Sequence, residues 1–137
     1  MSKHETPMTE WYWHEVLKKG TLIKEYVAVE KTKDGSTARR LMDGLVILDG
    51  PFIISKDTNH DIEGKDVVVI QSKNKRLGMY LMGQAFFSRE LIQKKKPQSV
   101  RSVAVCREDD KTMRDLMEQC PGLEVALCPA RIRAKTT

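Results

Sequence analysis

Apolar and polar positions follow two different periods along this chain, and the changes of period predict eight secondary-structure elements. Near the start, Trp13, Val16 and Leu17 form an apolar stripe at helical spacing. Further along, residues 67–70 are all apolar, which favours a strand buried on both faces. In chain order the pattern predicts a helix over residues 6–20, strands over 21–30, 39–48 and 66–73, a helix over 77–95, a strand over 99–107, a helix over 110–119 and a strand over 123–127.

The order of these elements, αβββαβαβ, is typical of an α/β domain with a mixed central β-sheet flanked by helices. Three strands in a meander are followed by two helical crossovers, which join parallel strands. A chain of 137 residues suits a single domain. We expect its core over residues 6–128, an exposed loop over residues 49–65, and a basic, frayed tail over residues 130–137.

Composition excludes several classes of protein. Hydrophobic residues make up 40% of the chain and charged residues 31%, which is ordinary for a globular domain rather than a disordered one. No apolar run approaches the ~20 residues that span a bilayer, and no apolar stretch follows a basic N-terminus, so we expect neither a membrane span nor a secretory signal. The three cysteines lack the spacing of a zinc site, and we interpret them as reduced thiols of a cytoplasmic protein.

Positive charge is concentrated in one segment. The chain has 24 Lys and Arg against 19 Asp and Glu, a net charge of +5, yet residues 73–101 alone carry eight basic residues and one acid. Such a segment suits the phosphate backbone of a nucleic acid, although a solvated helix face has the same composition. Its candidate phosphate-binding residues are Lys75, Arg76, Lys94, Lys95 and Lys96. Arg39 and Arg40, at the start of the second predicted strand, are further candidates.

Two short strings carry candidate chemistry. Asp43 is an acid inside the predicted second strand, where an ionised carboxylate is costly unless it is paired or bound to a metal. Gln71 and Lys73 lie two residues apart at the end of the third strand, so their side chains point to one face. Because the two strands are consecutive and expected to pair, a carboxylate, an amide carbonyl and an ammonium group would meet at one place.

These strings, in this order of elements, resemble those of the PD-(D/E)xK nucleases, the restriction-endonuclease-like superfamily, over residues 6–127. The resemblance implies hydrolysis of DNA phosphodiester bonds with Mg²⁺ or Mn²⁺. It assigns Asp43 as a metal ligand, Gln71 to the position of a second acidic ligand, and Lys73 to assisting the attack on the phosphodiester. The backbone carbonyl of Ser72 would complete the metal site.

Two features depart from the family pattern. No proline precedes Asp43, and Gln71 replaces an acid, as in QxK variants that resemble transposon-end-cleaving subunits and a class of homing endonucleases. A glutamine can bind Mg²⁺ through its carbonyl oxygen but adds no charge. The compensating carboxylate is expected on the first helix, where Glu10 is favoured over Glu15 by its spacing from Gly20.

The second helix adds a further candidate. Tyr80, Gln84, Phe87 and Leu91 share one helical face, which we expect to pack towards the sheet. Some members of the superfamily place a glutamine on this helix near the active site, so the resemblance makes Gln84 a nucleic-acid-binding candidate. A half-buried glutamine bonded to backbone is the alternative.

Two other functions remain open. The first alternative is a catalytically inactive nucleic-acid-binding member of the same fold, and the second is an unrelated α/β protein in which Asp43 pairs with Arg39 or Arg40. Since a duplex has two strands and the core elements use nearly the whole chain, we expect a homodimer or higher oligomer, with a partner protein as another route to targeting. Trp11, among the aromatic residues near the start, is the candidate interface residue; packing over the chain's own sheet is the alternative.

Overall fold

A computed structural model describes residues 5–133 as helices packed on both faces of a five-stranded mixed β-sheet. The sheet order is β1-β2-β3-β4-β5; β2 is antiparallel to both of its neighbours, and β3, β4 and β5 are parallel. The predicted order of elements and the mixed sheet are confirmed. The elements are helix α1 Thr6–Trp11, continued by a π-helical segment Tyr12–Leu17, strands β1 Thr21–Val29, β2 Arg40–Ile47 and β3 Asp66–Ser72, helix α2 Met79–Gln93, strand β4 Ser99–Cys106, helix α3 Lys111–Glu118, and strand β5 Leu123–Leu127.

The core lies on both faces of β3, as its uninterrupted apolar run predicts. Val68 and Ile70 pack under α1 and the π-helical segment, whereas Val67 and Val69 face the opposite side of the sheet. All four residues are buried. Since alternate residues of a strand face opposite sides of the sheet, this run joins the two layers of the domain.

The first helix differs from the prediction of a single amphipathic helix. It changes to π-helical winding at Tyr12, and its last bond joins the N–H of Lys18 to the carbonyl of Trp13, five residues back. The wider turn places Met8, Tyr12 and Trp13 together in the core, and Trp11 is half-buried against the same cluster. The exposed aromatic patch that made Trp11 an interface candidate is therefore not formed.

Helix α2 presents a different face to the sheet than predicted. Its buried stripe is Leu81, Ala85, Ser88 and Ile92, one residue further along than the stripe of Tyr80 and Phe87. Both stripes satisfy the helical period, but the smaller side chains at 85 and 88 let the helix approach the sheet closely. The prediction for this face was wrong.

The predicted loop and tail are only partly irregular. Ile54 forms a parallel bridge to Leu22, which adds a short piece of chain to the free edge of β1. Ile132 packs against the core under α1, and Arg107 donates to the carbonyls of Pro129 and Ile132. Residues 130–133 are thus held by the fold rather than frayed, and the rest of the predicted tail lies outside the described residues. Within residues 5–133, no helix has the length and apolarity needed to cross a bilayer.

Candidate active site

Strands β2 and β3 separate at one end, and side chains fill the opening. Their ladder ends at the pair Gly44 and Ile70, beyond which β2 pairs only with β1 and β3 only with β4. In place of the next backbone bonds, the N–H of Ser72 donates to Asp43 Oδ2 at 2.8 Å, and the N–H of Asp43 donates to Gln71 Oε1 at 3.4 Å. We call this group of Asp43, Gln71 and Ser72 the strand fork.

Gly44 brings helix α1 against the strand fork. A Cβ atom at position 44 would lie 2.8 Å from Thr9 Cγ2 and 3.1 Å from Leu22 Cδ1, closer than side chains pack. The buried hydroxyl of Thr9 shares a hydrogen bond of 2.8 Å with Ser72 Oγ. The absence of a side chain at 44 therefore lets α1 cross β2 closely and bond to β3.

Asp43 lies in an electrostatically unfavourable place for a carboxylate. Its pKa is raised from 3.8 to about 6, chiefly by burial, and the negative charge of Glu5 acts in the same direction. The N–H of Ser72 and the charge of Lys73 act in the opposite direction without cancelling the effect of burial. Glu5 accepts a bond from the N–H of Asn74 at 3.3 Å, so a second carboxylate, from the start of α1, lies at the same edge of the sheet.

Burial and hydrogen bonds hold the side chain of Gln71 in one orientation. It is only 4% exposed, and its Nε2 donates to Ser88 Oγ at 2.7 Å and contacts Met42 Sδ at 3.5 Å. Because its nitrogen faces an acceptor on α2, its oxygen is turned towards Asp43. The amide oxygen of Gln71 thus accepts from the backbone of Asp43, while the carboxylate of Asp43 accepts from the backbone of Ser72.

Lys73 continues from β3 on the same side of the sheet as Gln71. Its Nζ lies 5.2 Å from the ring centroid of Tyr80, a cation–π contact with α2. Ser72, between them, turns to the opposite side and meets Thr9. Of the three predicted groups, Gln71 contacts the backbone of Asp43, and the charge of Lys73 acts on the Asp43 carboxylate.

The acids predicted on the first helix are engaged elsewhere. Glu10 Oε2 accepts a bond from Lys24 Nζ on β1 at 3.1 Å, and Glu15 pairs with Arg131 at 2.6 Å. Glu5, one helical turn before Thr9, is the acid whose charge acts on Asp43. The predicted helix begins at Thr6, so Glu5 lies just outside it and is not among the predicted metal ligands.

A groove of about 480 Å³ runs from the strand fork between the first half of β2 and helix α2. Arg40 lies at one side, and Gln84 is half-buried in the groove. Arg39 points elsewhere and lies 4.0 Å from Glu30. The groove wall on α2 includes Tyr80 and Phe87, whose side chains are largely exposed.

The basic segment of the sequence does not form one continuous surface. Arg76 pairs with Glu108 at 3.2 Å, and Arg101 pairs with Glu124 across β4 and β5. Lys94, Lys95 and Lys96 follow the end of α2, which begins beside Lys73 and is 15 residues, or about 22 Å, long. The lysine run therefore lies at the opposite end of the sheet from the strand fork.

Comparisons of this chain with protein-family models, with curated proteins and with solved structures return no match. The interpretation of the site therefore rests on its chemistry.

That chemistry suits a hard divalent cation. Within residues 5–133 no three His, Cys, Asp or Glu side chains are grouped as metal ligands. Mg²⁺, however, is commonly held by one or two carboxylates, with water and substrate phosphate completing its shell. Asp43 and Glu5 supply two carboxylates at one edge, and Asp43 Oδ1 accepts no hydrogen bond within the described part of the chain. His60, a residue type that often binds metals, bonds instead to Ser55 Oγ at 2.9 Å within its own loop.

Proposed function

We propose that this protein is a divalent-cation-dependent nuclease of restriction-endonuclease-like fold that hydrolyses DNA phosphodiester bonds. The observation that carries the proposal is the strand fork, where a half-buried carboxylate with a raised pKa is acted on by the charges of a second acid, Glu5, and of Lys73. A carboxylate in such a position is stabilised by a cation more than by water. A carboxylate whose pKa is shifted by burial and by named charged neighbours is a candidate functional group.

Asp43 and Glu5 would hold Mg²⁺ or Mn²⁺, with the side-chain oxygen of Gln71 and the carbonyl of Ser72 as neutral donors. When bound, the cation supplies polarisation of the phosphate and a lowered pKa of water. Glu5 takes the part that sequence reasoning gave to Glu10, because Glu10 is paired with Lys24. The charge that Gln71 lacks is then supplied from the start of α1.

The protein's own groups bind and orient the phosphate. Lys73, whose charge acts on Asp43, offers an ammonium group that would stabilise the charge that builds up on the phosphate oxygens. Its contact with the Tyr80 ring fixes the direction of a flexible side chain. Asp43 is ionised above about pH 6, so its affinity for a cation increases through this range.

One observation favours the second candidate, a catalytically inactive nucleic-acid-binding protein of the same fold. Gln71 is neutral, buried and bonded to Ser88, so it stabilises the contact between β3 and α2 whether or not a metal binds. A site that has lost one acid retains its fold and its basic groups.

Cleavage of supercoiled plasmid with Mg²⁺ or Mn²⁺ distinguishes the two candidates. We expect nicking by the wild type and none above background by Asp43→Ala or Lys73→Ala. Asp34→Ala and Lys111→Ala, which change an exposed acid and an exposed lysine elsewhere, serve as matched controls with full activity. Circular dichroism of every variant verifies folding. Equal rates for wild type and Asp43→Ala would refute the nuclease, and DNA binding by an inactive wild type would establish the second candidate.

A further inference from the structure

One wall of the groove beside the strand fork carries exposed aromatic side chains that are not part of the core. Tyr80 is 71% exposed and Phe87 is 65% exposed, on the outward stripe of α2. We propose that this groove binds a single, unpaired DNA strand, whose bases stack on Tyr80 and Phe87 while its phosphates meet Lys73 and Arg40. The inference rests on the proposed function and names its substrate class: ends, flaps or gaps with unpaired bases.

Tyr80 connects base binding to the chemistry. Lys73 Nζ lies 5.2 Å from the centroid of its ring, so an aromatic face and a phosphate-binding cation are adjacent. A nucleotide presents the same two features, a flat base and a charged phosphate, a few ångströms apart. A base stacked on Tyr80 would therefore place its own phosphate beside the strand fork.

Phe87 supplies a second platform along the same groove. Its ring is edge-on to Phe86, with centroids 5.2 Å apart, which supports the exposed ring from one side. Seven residues separate it from Tyr80, so the two rings are about 10 Å apart along the helix axis. A strand lying along α2 would meet both rings in succession.

The polar groups of the groove are available to a ligand. No ion pair within residues 5–133 engages Arg40, and no hydrogen bond in the same range engages the side-chain amide of Gln84. Arg40 lies across the groove from α2, where it faces a strand stacked on the aromatic side. A cation on one wall and aromatic rings on the other is the arrangement by which proteins bind single strands without sequence preference.

Paired bases cannot use these rings. In a duplex the faces of the bases are covered by their neighbours, and an enzyme that needs a base face must first unstack it. A groove for duplex backbone alone would need cations and no exposed aromatic surface. The exposed rings therefore favour an unpaired strand over a duplex.

Fluorescence anisotropy in EDTA tests the inference without any chemistry. The probes are a labelled oligothymidine, a blunt duplex of mixed sequence, and the same duplex with an unpaired 3′ extension. We expect the oligothymidine and the extended duplex to bind at least fivefold more tightly than the blunt duplex. Tyr80→Ala and Phe87→Ala should each weaken binding of the oligothymidine by roughly five- to one-hundred-fold, the usual effect of losing one stacked base. Tyr80→Phe, which keeps the ring, should restore it.

Leu116→Ala is the matched control, because Leu116 is an exposed apolar residue on α3 that does not line this groove. A blunt duplex bound as tightly as the oligothymidine, or no binding of any probe, would overturn the inference. Sedimentation of the same variants gives a further decisive outcome: if Phe87→Ala changes self-association and not DNA affinity, the face binds a second copy of the chain and the inference is wrong.

The outcomes separate this inference from the proposed nuclease. Plasmid cleavage that depends on Asp43, without preference for unpaired strands, would support the proposed nuclease and refute strand binding in the groove. Strand binding that depends on Tyr80 in a protein without cleavage would do the reverse.

Discussion

The backbone N–H of Ser72 donates to Asp43 Oδ2 at 2.8 Å, at the point where the ladder between β2 and β3 has ended. A side chain of one strand thus completes the hydrogen bonding of the next. The carboxylate has a structural partner and, on its other oxygen, capacity for a ligand.

The first prediction concerns pH and stability. The pKa of Asp43 is raised from 3.8 to about 6, so between these values the folded protein holds a proton that the unfolded chain has lost. The free energy of unfolding therefore falls as pH rises through this window, by on the order of 3 kcal/mol in full. Without divalent cations, Asp43→Asn should match the wild type near pH 4 and exceed it in urea unfolding at pH 8.

Asp34→Asn is a control of opposite sign. Bonds from the backbone of Ser36 and the hydroxyl of Thr32 lower the pKa of Asp34 to about 2, so its contribution to stability is present above pH 4 and lost as pH falls through 2. This variant should be less stable than the wild type at pH 8. A gain in stability there would contradict the lowered pKa of Asp34.

The second prediction distinguishes the acids of the first helix. Glu5→Gln should reduce cleavage at limiting Mg²⁺ by at least tenfold and raise the Mg²⁺ concentration for half-maximal rate. Glu10→Gln breaks a half-buried pair with Lys24, worth about 1 kcal/mol or less, and should leave both quantities within twofold of the wild type. The reverse order of effects would return the metal-binding role to Glu10.

A third prediction follows from the burial of Gln71. Gln71→Glu removes the donor to Ser88 and adds a second negative charge beside Asp43, so at pH 8 without metal we expect a loss of about 1–3 kcal/mol in stability. Calorimetric melting should show a larger stabilisation by Mg²⁺ than in the wild type, because the cation offsets the added charge. Gln84→Glu, a half-buried control on α2, should lack this excess. If Mg²⁺ stabilises Gln71→Glu no more than the wild type, Gln71 is not near the cation.

The fourth prediction uses the contact between α1 and β2. Gly44→Ala places a methyl group 2.8 Å from Thr9 Cγ2 and should cost about 1–3 kcal/mol by overpacking. Thr9→Ser removes that methyl group and keeps the hydroxyl that meets Ser72. The double variant should therefore lose less stability than the sum of the two single variants in a double-mutant cycle. Strict additivity would mean that α1 has moved away instead.

The fifth prediction concerns salt. The double variant Arg40→Ala with Lys73→Ala should reduce the slope of log affinity against log salt for a short single strand by about 1.4, that is, 0.7 for each phosphate contact. Lys94→Ala with Lys96→Ala removes as much charge at the far end of α2 and should leave the slope for a short strand unchanged. Equal losses would mean that the strand binds along the whole helix.

Much of the fold was predictable because its signals are local. The apolar run of β3 and the turn residues that bound each strand fixed the element types and their order. Asp43 and Gln71 were brought together by the expectation that consecutive strands pair. The separation of those strands beyond Gly44 was not predictable, since it depends on the close approach of α1.

The rest of the site depends on tertiary contacts that leave no local pattern. Tyr80 and Ala85 both fit a 3.6-residue period, so only packing against the sheet decides which stripe is buried. The eight basic residues of one segment suggest a single surface. Helix α2, which crosses the sheet, instead separates the two ends of that segment. Glu5 was missed because its position relative to Asp43 depends on how the first helix crosses β2.

The winding of the π-helical segment Tyr12–Leu17 sets the orientation of the first helix relative to the sheet. A π-turn holds one more residue than an α-turn over the same height. If the same residues wound as an ordinary α-helix, with none removed, everything before them would rotate by about 100° relative to β1. Glu5 and Thr9 would then turn away from β3 together. The phase of the chain's first three helical turns thus sets whether a carboxylate from α1 reaches the sheet at all.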